Sequence, residues 1–294
     1  MTLIIHGLHG LGDNLRMRSI VKQLMLFHDV WLETPWPCLF HDMDIKFLAK
    51  SSKLRTQAKN AKRESVKFTK EQAPSKSRQI AVNYPPASVR QHGNVLAAMS
   101  AQAGVSIENF DLPIPDEWDL RAKELIDSWN VTKPILIYRP LIERTEWSGC
   151  SARNPDKSSY SELFESIRDK FFIVSVADLV DDVEWMVSDP INADVTYHKG
   201  ELDIEILAAL VNRSAAVYSS PGFAAVLAQS VGTPSVVIFG GYENSQTFSH
   251  NGYPYLGIDT IKPCDCFSHH HSCVKEINIP VAKDRLMEFV NEYC

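Results

Sequence analysis

Short unbroken apolar runs alternate along the chain with apolar residues at helical spacing. Leu3-Ile4-Ile5 is such a run, a glycine-rich stretch follows over residues 7–14, and Ile20, Val21, Leu24 and Met25 then recur with the period of one helix face. That order predicts the first half of a βαβ unit. Val30-Trp31-Leu32 is the next strand candidate; it ends at Glu33, and Pro35 and Pro37 break the chain behind it. Residues 97–105 and 116–129 read as helices joined by the extended connector Asp111-Leu112-Pro113-Ile114-Pro115. Pro134 marks the predicted boundary between two domains, residues 1–133 and 134–294.

Beyond that proline the alternation is regular. Strand-like runs at Ile135-Leu136-Ile137-Tyr138, residues 172–176, residues 215–218 and residues 235–239 alternate with helical patterns. The helices are marked by Tyr160, Leu163, Phe164 and Ile167, by a start near Asp203, and by residues 222–231. Ala282, Leu286, Phe289 and Val290 mark a closing helix, expected to be able to return to the first domain. The fold class this predicts is α/β, with two Rossmann-like domains whose parallel sheets turn their carboxyl edges toward a cleft, the usual ligand position in such folds.

Composition agrees with a folded protein, since 45% of the 294 residues are hydrophobic and 22% charged. No apolar run approaches the ~18 residues of a membrane span. The opening residues read as a strand and not as a leader, so the expected location is cytoplasmic. The net charge of −6 excludes a uniformly basic nucleic-acid coat, yet residues 46–90 hold twelve Lys and Arg against two acids, Glu64 and Glu71. This segment is expected to form a basic insert or face. Six cysteines are too few for a disulfide scaffold; Cys38, Cys150 and Cys294 are scattered, whereas Cys264, Cys266 and Cys273 are close together.

Three stretches carry candidate chemistry. The turn Gly7-Leu8-His9-Gly10-Leu11-Gly12-Asp13-Asn14 lets the backbone approach a ligand at a helix N-terminus, although Asp13 or Asn14 could equally cap that helix. It is neither the Gly-x-Gly-x-x-Gly of dinucleotide folds nor a Walker loop. Ser219-Ser220-Pro221-Gly222-Phe223 opens a second helix that stops at Gly232, and Gly240-Gly241 forms another turn on the same sheet edge, where a diphosphate can be held. Arg139, Arg144, Trp147, Arg153 and Asn154 follow a strand; their guanidinium groups suit phosphate oxygens, or else pair with Glu143 and Glu146.

Taken together, the Gly10-Leu11-Gly12-Asp13 turn, the stretch from Ser220-Pro221-Gly222-Phe223 through Gly232-Thr233-Pro234 to Phe239-Gly240, and Cys264-x-Cys266-Phe267 with Cys273 resemble glycosyltransferase family 9. These are heptosyltransferase-like enzymes of the GT-B fold. The resemblance implies that Asp13 is the catalytic base, that Gly10, Gly12 and Asn14 lie on the acceptor side, and that Ser220, Pro221, Gly222, Gly240 and Gly241 lie on the donor side. The family's second-domain turn reads Asp-x-Gly with a histidine three residues on, where this chain has Ser220 and Ala225. That departure falls on the donor sugar.

The chemistry stands beside the resemblance. Transfer from a nucleoside diphosphate sugar needs a base for the acceptor hydroxyl, given to Asp13, and positive charge for the departing diphosphate, given to Arg139, Arg144, Arg153 and the helix at Gly222. The expected reaction is inverting, with no metal and no cofactor. Lys59, Lys62, Arg63 and Lys67 are assigned to an anionic acceptor, either a lipopolysaccharide core or modified nucleic acid. Cys264, Cys266, His271 and Cys273, with His269 and His270 between, read first as a packed loop and secondly as zinc ligands at an unusually tight Cys-x-Cys spacing. Two other readings remain: an NAD-dependent dehydrogenase or epimerase with Glu33 on the ribose, and a non-enzymatic nucleic-acid-binding module.

Overall fold

The computed structural model describes residues 1–107, 110–145, 152–249, 252–268 and 271–294. Glu146, Trp147, Cys150, His269 and His270 lie outside the described residues. The chain divides into one unit of Met1–Pro113 and a second of Ile114–Cys294.

In the first unit, β1 (Thr2–His6) runs into α1 (Leu11–Leu24), which returns to β2 (Asp29–Thr34). Leu15, Ile20, Val21 and Leu24 of the helix are buried together with Leu3, Ile4 and Ile5 of the strand, as the apolar spacing predicts. Next come β3 (Lys46–Ala49), α2 (Arg55–Arg63), β4 (Arg78–Ala81), α3 (Pro86–His92) and α4 (Val95–Ala103). The four strands are parallel in the order β3-β2-β1-β4. The basic segment is therefore no insert: it supplies both edge strands, where charged side chains such as Lys46 and Arg78 discourage pairing with another chain. Arg18 of α1 is fully buried and grips Asp42 through both guanidinium nitrogens at 2.9 Å, while its Nε donates to the Asp111 carbonyl at 2.8 Å.

The second unit opens with α5 (Asp116–Asp127), then β5 (Ile135–Tyr138), β6 (Ile142–Arg144), α6 (Lys157–Glu165), β7 (Phe172–Val176), β8 (Glu184–Met186) and β9 (Val195–Tyr197). It continues with α7 (Ile204–Asn212), β10 (Ala216–Ser219), α8 (Phe223–Val231), β11 (Ser235–Ile238), α9 (Ser245–Phe248), β12 (Tyr255–Ile258) and α10 (Ile279–Tyr293). Six strands form a parallel sheet in the order β12-β11-β10-β5-β7-β9, and β6 pairs antiparallel with β8 outside it. Every residue of β5, β7, β10 and β11 is buried, which explains why these strands read as continuous apolar runs instead of alternating ones.

Two boundaries differ from the sequence expectation. The division falls at Pro113, within the proline-rich connector and not at residue 133, because α5 belongs to the second unit. Asp119 of α5 takes two hydrogen bonds from Arg213 at 2.6 and 2.5 Å, Arg121 pairs with Asp203 at 2.6 Å, and Trp129 stacks on Phe172. The closing helix also belongs to this unit: Leu286, Phe289 and Val290 of α10 share a buried cluster with Leu163 and Phe164 of α6. No helix among the described residues is long and apolar enough to cross a membrane.

Candidate functional site

Between β1 and α1 the carbonyls of the first turn are held from within. Asn14 Nδ2 donates to Leu8 O at 2.9 Å and to Gly10 O at 2.7 Å, Trp36 Nε1 donates to His9 O at 2.8 Å, and Thr34 donates to Asn14 Oδ1 at 2.7 Å. Asn14 is 1% exposed, so its side chain builds the turn, which corrects its expected place among acceptor-contacting residues. Gly12 lies in the first turn of α1, and the helix begins on Gly10 with no side-chain cap. Asp13, also in that turn, is engaged across the sheet edge: its Oδ1 accepts a hydrogen bond from the Tyr84 hydroxyl at 3.0 Å, and its other oxygen folds over Gly10.

Gly10 has φ −61° and ψ 143°, a conformation alanine adopts without strain, and the nearest atoms to an added Cβ all belong to the Asp13 side chain. Gly10→Ala is thus expected to change stability by less than about 0.5 kcal/mol, because a carboxylate end can swing aside. The same swing takes Asp13 off Tyr84, so, with Asp13 as the expected base, turnover should fall by about 10- to 100-fold. Parallel urea unfolding and initial-rate measurements check the pair of outcomes; equal activity would detach the carboxylate's position from the chemistry.

Glu33, the acid that a ribose-binding dehydrogenase would need, is already engaged: His6 Nδ1 lies 2.5 Å from one oxygen and Lys50 Nζ 3.2 Å from the other. Burial pushes its carboxyl up, but the hydrogen bonds from His6 and Lys50 outweigh burial and hold it below the ordinary range. On α2, Lys59, Lys62 and Arg63 are exposed, as is Lys67 just beyond it. Two of these serve the fold as well, since Glu64, 3% exposed, receives Lys67 at 2.9 Å and Arg63 at 3.7 Å.

In the second unit the carboxyl ends of β5, β10 and β11, neighbours in the sheet, carry the other expected residues. β10 ends at Ser219, whose buried hydroxyl has no hydrogen-bond partner among the described residues. Ser220, buried Pro221 and Gly222 follow, and α8 starts at Phe223 on Gly222, a residue with no side chain to cap with. Asn94, Asp156, Asp203 and Asn278, by contrast, all cap their helices with a side chain. A Cβ on Gly222 would meet nothing within 4 Å, so the approach to the α8 N-terminus is open. Ala225 is fully buried and offers nothing to a sugar.

The three arginines are more constrained than their sequence positions suggest. Arg139 is half-buried beside Glu184 at 3.5 Å, donates to Val176 O at 3.0 Å, and lies over the Phe223 ring at the start of α8. Burial pushes its guanidinium down from its ordinary value and Glu184 offsets part of that. Arg144 pairs with the same Glu184 at 2.9 Å, so one carboxylate answers two guanidinium groups. Both are corrected from direct diphosphate contacts to loop-building charges. Arg153 donates through Nε to Glu243 at 2.7 Å, lies over the Tyr242 ring, and is the most exposed of the three at 30%. Gly240 admits no Cβ because the Asn154 carbonyl fills that space, and Gly241 sits at φ 129° against Cys273.

Glu146 lies outside the described residues; Glu184 and Glu243 are partners of the arginines, and like Tyr84 they carry no mark of that role in the sequence. His198 is likewise unmarked; its Nε2 lies 2.8 Å from Ser175 and its pKa is lowered by burial and then by the Arg139 cation. Cys264, Cys266, His271 and Cys273 do come together, with ligand atoms all within 4.8 Å of one another. Burial pushes the Cys266 thiol up to about 11, which makes it a poor nucleophile at neutral pH.

No family model and no curated protein matches the sequence. Solved structures do match its fold. A glycosyl transferase family 9 protein from Veillonella parvula superposes with a TM-score of 0.63 at 13% identity, covering 99% of this chain and 97% of that one. The ADP-heptose lipopolysaccharide heptosyltransferase II of Escherichia coli gives 0.61 at 11% identity with 99% of both chains covered. TibC, an iron-containing dodecameric glycosyltransferase from enterotoxigenic Escherichia coli, gives 0.66 at 13% identity over 99% of this chain and 75% of its own. The fold is thus that of the GT-B glycosyltransferases, with one Rossmann-like domain in each unit.

Proposed function

We propose that the protein is a glycosyltransferase that moves a sugar from a nucleoside diphosphate donor to a hydroxyl of an anionic acceptor. The observation that carries this reading is the open N-terminus of α8 with Arg139 over its first ring, and the Arg153 loop at the turn after the neighbouring strand β11, on the edge of a GT-B-type sheet where a diphosphate gains both N–H donors and positive charge. Asp13 takes the proton of the acceptor hydroxyl as its oxygen attacks the anomeric carbon. The bond from that carbon to the diphosphate breaks, and the electron pair leaves on the nucleoside diphosphate, whose charge meets the helix N-terminus and Arg153. Direct attack of this kind inverts the anomeric centre, and none of these steps draws on a metal or cofactor. Arg139 and Arg144 hold the loop through Glu184. Heptosyltransferase II uses ADP-heptose, which makes ADP-sugars the first donors to try here. TibC contains iron, so metal content belongs among the properties to measure. A mass gain of one glycosyl residue on lipopolysaccharide core or on hydroxymethylated DNA, formed with simultaneous nucleoside diphosphate release, tests the proposal; nucleotide sugar hydrolysed equally fast with and without either acceptor would count against it.

The exposed cations of α2 point to the acceptor's charge. Replacing Lys59, Lys62, Arg63 and Lys67 with Gln is expected to raise the acceptor concentration needed for half-maximal rate and to flatten its dependence on salt, leaving the donor constant unchanged. Rate curves at several salt concentrations check this, and an unaltered slope would reduce these residues to a solvated face. Because Arg63 and Lys67 also support Glu64, the Lys59 and Lys62 pair alone is the cleaner variant.

A further inference from the structure

We propose that Cys264, Cys266, His271 and Cys273 form a tetrahedral zinc centre that fixes the shape of the loop before α10, which packs against the Gly240-Gly241 turn. Zinc bound at ~2.3 Å to sulphur and ~2.0–2.1 Å to nitrogen in a tetrahedron sets its ligands about 3.8 Å apart for two sulphurs and about 3.6 Å apart for sulphur and nitrogen. Cys266 Sγ lies 3.8 Å from Cys273 Sγ, and His271 Nδ1 lies 3.6 Å from Cys264 Sγ and 3.2 Å from Cys273 Sγ. Three cysteines and one histidine fill all four positions, so the centre is a structural one with no place left for substrate or water. Zinc displaces the three thiol protons to solvent and takes the histidine in its neutral form.

The surrounding backbone gives a second, independent reason. Phe267, between the ligands, has φ 50°, and Tyr242, on the facing turn, has φ 69°; both are bulky residues in the left-handed region, a costly conformation that something nearby must hold. The two loops meet through the Phe267 N–H, which donates to Tyr242 O at 2.8 Å, and through edge contact of the two rings, while Lys275 joins the first of them to the loop before α6 by donating to Asn154 O at 2.8 Å. Gly241 touches Cys273 so closely that no side chain fits there. A metal ion at this point holds the loop of residues 264–273 in the strained shape in which Phe267 meets Tyr242. The donor set also selects the ion, since three thiolates with an imidazole favour zinc over the hard, oxygen-seeking cations.

The inference stands apart from the proposed reaction, and its test needs no substrate. Protein purified under reducing conditions and passed through a desalting column is expected to carry about one equivalent of zinc by plasma mass spectrometry. Exchange with cobalt is expected to give the thiolate charge-transfer band and the intense visible bands of a tetrahedral site. Cys266→Ser and Cys273→Ser are each expected to lose the metal, whereas Cys294→Ser keeps it. Chelation of the wild-type protein is expected to lower its melting temperature, a readout that holds even where a variant fails to fold. Protein without bound metal and without the cobalt spectrum would overturn the site, as would a Cys266–Cys273 disulfide found after denaturing alkylation; iron on the same ligands would overturn the assignment to zinc.

Discussion

Asp13→Asn is expected to lower turnover by about 10²-fold or more, the scale of a lost general base. The amide keeps the shape of the carboxylate and can still accept from the Tyr84 hydroxyl that now bonds Oδ1 at 3.0 Å. Loss of the negative charge in the first turn of α1 costs stability only about 0.3–1 kcal/mol. Tyr84→Phe is expected to have a smaller effect, because it frees the carboxylate without removing it. The two changes act through one group, so the double variant is expected to fall no further than Asp13→Asn alone. Single-turnover rates on the two single variants and the double variant measure this directly, and near-normal turnover in Asp13→Asn would remove Asp13 from the chemistry.

Arg18→Met is expected to destabilise the first unit by about 3 kcal/mol, since it leaves the partly buried Asp42 carboxylate to the longer Lys22 contact at 3.6 Å while keeping most of the side-chain volume. Arg18 holds Asp42 with two bonds of 2.9 Å and also ties down Leu39 O and Asp111 O. Burial, the largest single influence, pushes the Asp42 carboxyl up, but the Arg18 hydrogen bonds and charge, with a backbone hydrogen bond and the Lys22 charge, together hold it below its ordinary value of 3.8. A carboxyl lowered in the folded state adds stability that is complete above its unfolded pKa and is lost as pH falls through the folded one. In wild type this contribution is therefore expected to fade on acidification below that ordinary value, and in Arg18→Met, where Lys22 remains beside Asp42, the fading is expected to shrink. Urea midpoints across the acid range check both; an Arg18→Met midpoint within error of wild type at neutral pH would show that the pair adds nothing.

Local pattern carried much of the fold. The β1, turn, α1 sequence and the alternation of strands and helices after Pro134 were legible because parallel strands buried on both faces are apolar throughout and their helices repeat with a period of three to four. The partners of the functional groups were not legible. Asp13 and Tyr84 stand 71 residues apart, Arg144 and Glu184 stand 40 apart, and Arg153 and Glu243 stand 90 apart. Nothing near Arg144 in sequence marks Glu184, and Glu143 offered a nearer partner. The arginines therefore read as open charges, when two of them share one buried carboxylate. The domain boundary was misplaced because the helical pattern of α5 says nothing of which sheet it covers; its pairing with α7 through Asp119 and Arg213 decides that. The basic segment read as an addition because charge conceals short edge strands, whose lysines and arginines are there to keep the edge unpaired.

The central claim, that the second unit holds the diphosphate of a nucleotide sugar, is tested most directly by calorimetric titration of the intact protein with ADP, UDP, GDP and NAD. One nucleoside diphosphate is expected to bind at one site per chain, more weakly in Arg153→Ala, with NAD giving no heat. Binding of NAD alone, or no response to any of the three diphosphates, would contradict the account.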